Sequence, residues 1–116
     1  MDDMFNLYEH RGVLVVEVLV QKFDFLVISE CSRYLRSCLE KREYPSTVFD
    51  IGRVVIIDSS VFGFLLEIYK TVTKKGNKIA IVCRDRLVLN AMNLLTLPQI
   101  IPVFDTLEAA ADHLAV

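Results

Sequence analysis

The stretch Val55-Ile-Ile-Asp-Ser-Ser-Val-Phe-Gly63 constrains the fold of this chain more than any other. A run of β-branched residues stops at Asp58, two hydroxyls follow, and apolar residues then recur at Phe64, Leu65, Ile68 and Val72. Branched residues favour extended backbone, whereas apolar residues every three to four positions bury one face of a helix. The segment therefore predicts a buried strand that runs directly into a helix, with Ser59 and Ser60 at the helix start. Backbone N–H groups without intrahelical partners and the positive end of the helix dipole meet at such a place. Two roles suit a serine there: an N-cap for the helix, or a phosphate acceptor in a positive field.

The same alternation runs through the rest of the chain. Phe5 to Glu9 reads as a weak first strand, and Arg11-Gly12 as a turn. Val13 to Val20 is a strong strand, and Gln21 to Phe25 a connection. Ile28, Cys31, Leu35 and Leu39 have helix spacing, with Glu40 to Glu43 as a solvated end before Pro45. Thr47 to Ile57 holds a second strong strand region with a kink at Gly52-Arg53. The helix from Ser60 ends in lysines and Gly76, which suit a helix C-terminus. Lys78 to Cys83 is a short strand. Arg86 to Leu95 is a helix with Leu87, Val88, Ala91 and Leu94 or Leu95 inward, closed by Pro98. Ile100 to Phe104 is a last strand. Asp105, with Glu108 three residues on, resembles the capped start of a final helix reaching about His113. Strands alternating with helices over 116 residues predict one α/β domain. It has a central mixed sheet of four to five strands and about four helices. In such sheets binding sites gather where strands end and helices begin, which singles out Asp58-Ser59-Ser60 and Phe23-Asp24-Phe25.

Composition narrows the function classes. The apolar fraction of 53% exceeds the ordinary range of about 45–50%, which fits a covered sheet or an exposed partner surface. The net charge is −2 and no basic stripe exists, which argues against nucleic acid. No uncharged apolar run approaches the ~20 residues of a membrane helix. The acidic Met-Asp-Asp-Met start lacks the layout of a signal peptide. Three cysteines, Cys31, Cys38 and Cys83, form no pair motif. They read as small buried residues of a protein from a reducing cytoplasm. His10 and His113 lie far from each other in sequence and have no local ligand partners, so no metal or other cofactor is expected.

An ordered set of residues resembles the STAS domain, best known from bacterial anti-sigma-factor antagonists. It comprises Asp50, then seven residues, Asp58-Ser59-Ser60-x-x-Gly63, Tyr69-Lys70, Gly76 and the run from Ile101 to Ala110. The resemblance spans essentially the whole chain. It implies a regulator that binds a serine kinase doubling as an anti-sigma factor, is phosphorylated by it, and is reset by a metal-dependent serine phosphatase. It places the phosphate on Ser60, the second serine of the pair. Asp24, Asp58, Ser59, Ser60, Val61, Phe62 and Gly63 would form the partner-binding surface; the residues alone equally allow Asp24 as a cap of the following helix and Val61-Phe62 as core packing. Glycines usual in the family are replaced here by Gln21, Val61 and Thr96. A second class of function, a STAS accessory subunit of a stress-signalling complex or lipid-transport ATPase, needs no phosphate. An enzyme is disfavoured, because the serines lack a nearby histidine or lysine base and no Gly-rich phosphate loop exists.

Overall fold

The computed structural model describes residues 4–41 and 46–115, for 38–41 the backbone alone. The side chains of Cys38, Leu39, Glu40 and Lys41, the stretch 42–45 with Pro45, and the Met-Asp-Asp start thus lie outside what is described. Among the described residues there are seven strands: β1 Phe5–His10, β2 Val13–Val18, β3 Lys22–Phe23, β4 Ser46–Asp50, β5 Ile56–Ile57, β6 Lys78–Val82 and β7 Val103–Phe104. Four helices accompany them: α1 Phe25–Lys41, α2 Ser60–Lys74, α3 Arg86–Leu94 and α4 Leu107–Leu114. Five strands form one sheet in the order β1-β2-β4-β6-β7. The β1–β2 hairpin is antiparallel and the remaining pairs are parallel. The mixed α/β architecture expected from the alternation is therefore the one observed.

The central strands are largely apolar because they are buried on both faces. Alternate residues of each strand point to opposite sides. Leu14, Val16, Val18, Phe49, Ile79 and Ile81 face the core shared with α1, α2 and α3. Val13, Val15, Val48, Ala80 and Val82 face Ala110 and Leu114 of α4. Cys31 and Cys83 are buried, and burial pushes the Cys83 thiol up to about 11.

Several expectations need correction. Thr47 to Ile57 is not one kinked strand. It breaks after Asp50, and β5 leaves the main sheet to pair with β3 in a separate two-stranded sheet. The chain turns there: Asp50 Oδ1 accepts from Gly52 N–H at 3.0 Å, and Ile51 C=O accepts from Val54 N–H at 3.0 Å. The connection from Gln21 to Phe25 holds β3 and the first residue of α1. The last strand shrinks to two residues, because a 3-10 turn over Leu97–Gln99 occupies the chain before it. The α4 cap is Thr106, whose hydroxyl accepts from Ala109 N–H at 3.1 Å, in place of Asp105.

The face of α3 also differs. Val88 and Met92 are buried, while Leu87 and Leu94 are 73% and 84% exposed and Leu95 is 55% exposed. Asp85 caps the helix by accepting from Val88 N–H at 3.1 Å, and that start turns Val88 inward. The chain leaves α3 through Thr96 in a left-handed conformation, φ 56°.

Candidate functional site

The small sheet builds the site. Lys22 lies beside Ile56 and Phe23 beside Ile57 in parallel. Both strands therefore end at the same level, and an aspartate follows each. Gln21 C=O accepts from Val55 and Ile56 N–H at 2.8 and 3.1 Å, and Phe23 C=O accepts from Asp58 N–H at 3.0 Å. These bonds set Asp24 and Asp58 side by side, each at the threshold of a helix.

The two aspartates do the same local work. Asp24 Oδ1 accepts from Leu26 N–H at 3.1 Å and Val27 N–H at 3.2 Å, which caps α1. Asp58 Oδ1 accepts from Ser60 N–H at 2.8 Å. That amide bond holds the Asp58 carboxyl below its ordinary range, the Ser60 hydroxyl adds to the effect, and the positive Lys22 contributes less. A fixed negative charge thus stands next to the serine pair.

Ser59 occupies the position before α2 with helical backbone, φ −59° and ψ −26°, and its side chain makes no capping bond. The expected serine N-cap is therefore replaced by Asp58. Ser60 is the first residue of α2, and both serines are exposed. Val61, expected on the same surface, is fully buried and packs in the core with Phe64 and Leu65. Its N–H donates to Asp58 C=O at 3.0 Å, which turns the side chain inward. Phe62 is half-buried against the core, and Gly63 is exposed with open space where a Cβ would stand. The surface thus holds Asp24, Asp58, Ser59, Ser60, part of Phe62 and Gly63, but not the Val61 side chain.

The strand before Asp58 is not buried either. Ile56 is 56% and Val55 40% exposed, and Phe25 and Leu26 are each 64% exposed. These four residues and Lys22 lie on the two chain segments that carry Asp24 and Asp58; Leu26 and Lys22 were not singled out by sequence reasoning, and Val55 and Ile56 were expected to be buried. A signal for two of them existed: spacing that turns Val27, Cys31 and Leu35 inward leaves Phe25 and Leu26 outside. The histidines lie elsewhere. His10 is 2.9 Å from Glu108 Oε1, and His113 packs on the Phe104 ring.

Residues 4–110 match the family model described as STAS domain. The chain belongs to the STAS domain family. Over 116 residues it is 25% identical to an anti-sigma F factor antagonist of Paenibacillus polymyxa, covering 100% of this chain and 98% of that one. The crystal structure of an anti-sigma factor antagonist from Mycobacterium paratuberculosis superposes with a TM-score of 0.85 at 20% identity, covering 97% and 93% of the two chains. The Bacillus anti-sigma factor antagonist SpoIIAA is similar in fold in both solved forms. The unphosphorylated form has a TM-score of 0.82 at 15% identity, covering 96% of each chain. The phosphorylated form has a TM-score of 0.72 at 14% identity, covering 94% and 97%. This STAS domain is thus similar over its whole length to an anti-sigma F factor antagonist. Among the described residues no helix is long and apolar enough to cross a membrane.

Proposed function

We propose that this STAS domain is a partner-switching regulator whose docking surface is the paired Asp24 and Asp58 junction and whose switch is Ser60. The observation that carries this reading is the placement of an exposed Ser60 at the start of α2. Asp58 holds its amide, exposed Val55 and Ile56 precede Asp58 on its own strand, and exposed Phe25 and Leu26 follow Asp24 on the paired one. Exposed apolar residues on the two segments of this junction suit a protein partner that buries the hydroxyl on docking.

Phosphorylation adds about −1.5 to −2 charges at such a site. The N-terminus of α2 tolerates that charge, so the domain keeps its fold. The partner does not: it would have to desolvate a phosphate next to the ionised Asp58. A loss of only about 1.4 kcal/mol weakens binding tenfold. In this reading the partner is a serine kinase that also sequesters a sigma factor, and a serine phosphatase restores binding. The domain itself acts by binding and as a kinase substrate.

Incubation with ATP and candidate anti-sigma-type kinases, followed by intact-mass measurement, tests the assignment. The wild type and Ser59→Ala gain one phosphate, and Ser60→Ala gains none. A gain retained in Ser60→Ala would remove Ser60 as the switch. No gain with any such kinase, together with stable co-purification in a transporter or stress complex, would favour the accessory-subunit role. The exposed Leu87, Leu94 and Leu95 of α3 are compatible with that role.

A further inference from the structure

β1 is an outer strand of the main sheet, whereas the serine junction is built on the separate β3–β5 sheet. The main sheet has two outer strands, β1 and β7. β7 has two residues, whereas β1 has six, in unbroken register with β2 from Phe5↔Val18 to His10↔Val13. Long edge strands are commonly blunted by proline, lysine or a bulge. The β1 sequence Phe-Asn-Leu-Tyr-Glu-His has no proline or lysine, and its register has no bulge.

One hydrogen bond sets the phase of this edge. In an antiparallel ladder, opposed residues alternate between exchanging both backbone bonds and exchanging none. Leu19 N–H donates to Met4 C=O at 2.8 Å, one step beyond the Phe5↔Val18 pair. Asn6, Tyr8 and His10 therefore direct their backbone groups at β2. Phe5, Leu7 and Glu9 direct theirs to the open side. Phe5 is only 1% exposed, so its edge is covered. Leu7 is half-buried, Glu9 is exposed, and among the described residues no strand lies beyond them.

We propose that two copies of this chain pair through β1, antiparallel, about a two-fold axis that passes beside Tyr8. A two-fold axis normal to the sheet keeps each residue on its own face, so it can only oppose residues whose numbers have an even sum. Centring on Leu7 would require the covered Phe5 to bond Glu9 of the second copy. Centring on Tyr8 pairs Leu7 with Glu9 of the second copy, and the reverse, and both have outward N–H and C=O groups. It also opposes the two Tyr8 rings, a favourable cross-strand pair, and Asn6 to His10, with no like charges directly opposite. A second copy in this register pairs the outward N–H and C=O groups of both Leu7 and Glu9, and the result is one sheet continuous across both copies.

The test is sedimentation velocity over a wide concentration range, with hydrogen exchange of the β1 amides. The wild type dimerises with rising concentration, and the Leu7 and Glu9 amides gain protection only as it does so. Tyr8 is protected throughout. Glu9→Pro removes an N–H that β2 does not use, so the domain keeps its hairpin. It weakens the dimer about thirtyfold, through one bond lost per copy. Glu9→Gln, which keeps the N–H, leaves the dimer intact. A monomer at every concentration overturns the proposal. So does a dimer whose Leu7 and Glu9 amides stay unprotected, or one lost in Leu94→Glu on α3 and kept in Glu9→Pro. The exchange readout needs no variant and decides the matter if Glu9→Pro misfolds.

Discussion

Replacing Val61 by the glycine usual at its position tests whether this residue belongs to the core or to the surface of the switch. Val61 is fully buried in the cluster that includes Phe64 and Leu65. Truncation to glycine removes three buried carbons, worth about 0.8 kcal/mol each, or roughly 2.4 kcal/mol of transfer free energy. A glycine near a helix start adds about 0.5–1 kcal/mol of backbone entropy relative to alanine. The expected loss is therefore about 3 kcal/mol, a large share of the ~5–15 kcal/mol that holds an ordinary domain. Val61→Ala removes two carbons and avoids the entropy cost, so it loses about 1.6 kcal/mol. Urea unfolding followed by far-ultraviolet circular dichroism measures both, with the slope checked for constancy. Phosphate incorporation into folded Val61→Ala should stay close to wild type, since no side chain is lost from the docking surface. A Val61→Gly loss below ~1 kcal/mol would refute the burial argument. Faster phosphorylation of Val61→Ala with unchanged stability would return Val61 to the surface.

Thr96 holds a left-handed backbone at the end of α3, with φ 56° and ψ 21°. That conformation strains a branched residue by about 1–2 kcal/mol, and part of the gain from glycine is lost to unfolded-chain entropy. Thr96→Gly should thus stabilise the domain by about 0.5–1 kcal/mol in urea; a loss would mean that the Thr96 side chain is needed there. Asp58 provides a pH test. Its folded pKa lies below the ordinary 3.8, so its contribution is present above that value and lost as pH falls through the folded one. The Ser60 amide shift in nuclear magnetic resonance should therefore titrate with a midpoint below 3.8, and Asp58→Asn should abolish that step. A midpoint at or above the ordinary value would disprove the Asp58–Ser60 bond.

Most of the fold was legible because its signals are local. β2 and β6 are apolar on both faces and could hardly be anything but central strands. The Asp-Ser-Ser junction was legible too, since a strand pattern meets a helix pattern there without a spacer. The errors share one cause, which is that periodicity gives an apolar face but not what covers it. Val55 and Ile56 look like core strand residues, yet β5 lies in a two-stranded sheet outside the main one. Leu87 and Leu94 have helix spacing, but from the Asp85 cap onward it is Val88, as expected, and Met92 that face inward. Val61 follows two exposed serines and is nevertheless in the core, because its own N–H bonds back to Asp58.

From residue order alone came the α/β class, the family resemblance, and the position of Asp58-Ser59-Ser60 between a strand and a helix. Such features depend on neighbours a few positions apart, whose propensities and spacing act before any long-range contact forms. Only the tertiary structure decided that Asp24 joins Asp58, thirty-odd residues away in the chain, through the parallel pairing of Phe23 with Ile57. It alone exposed the apolar residues on the segments that carry Asp24 and Asp58 and left the edge of β1 open. Those outcomes depend on which surfaces cover one another, and strand pairing across the fold settles that by closing backbone hydrogen bonds that local sequence cannot specify.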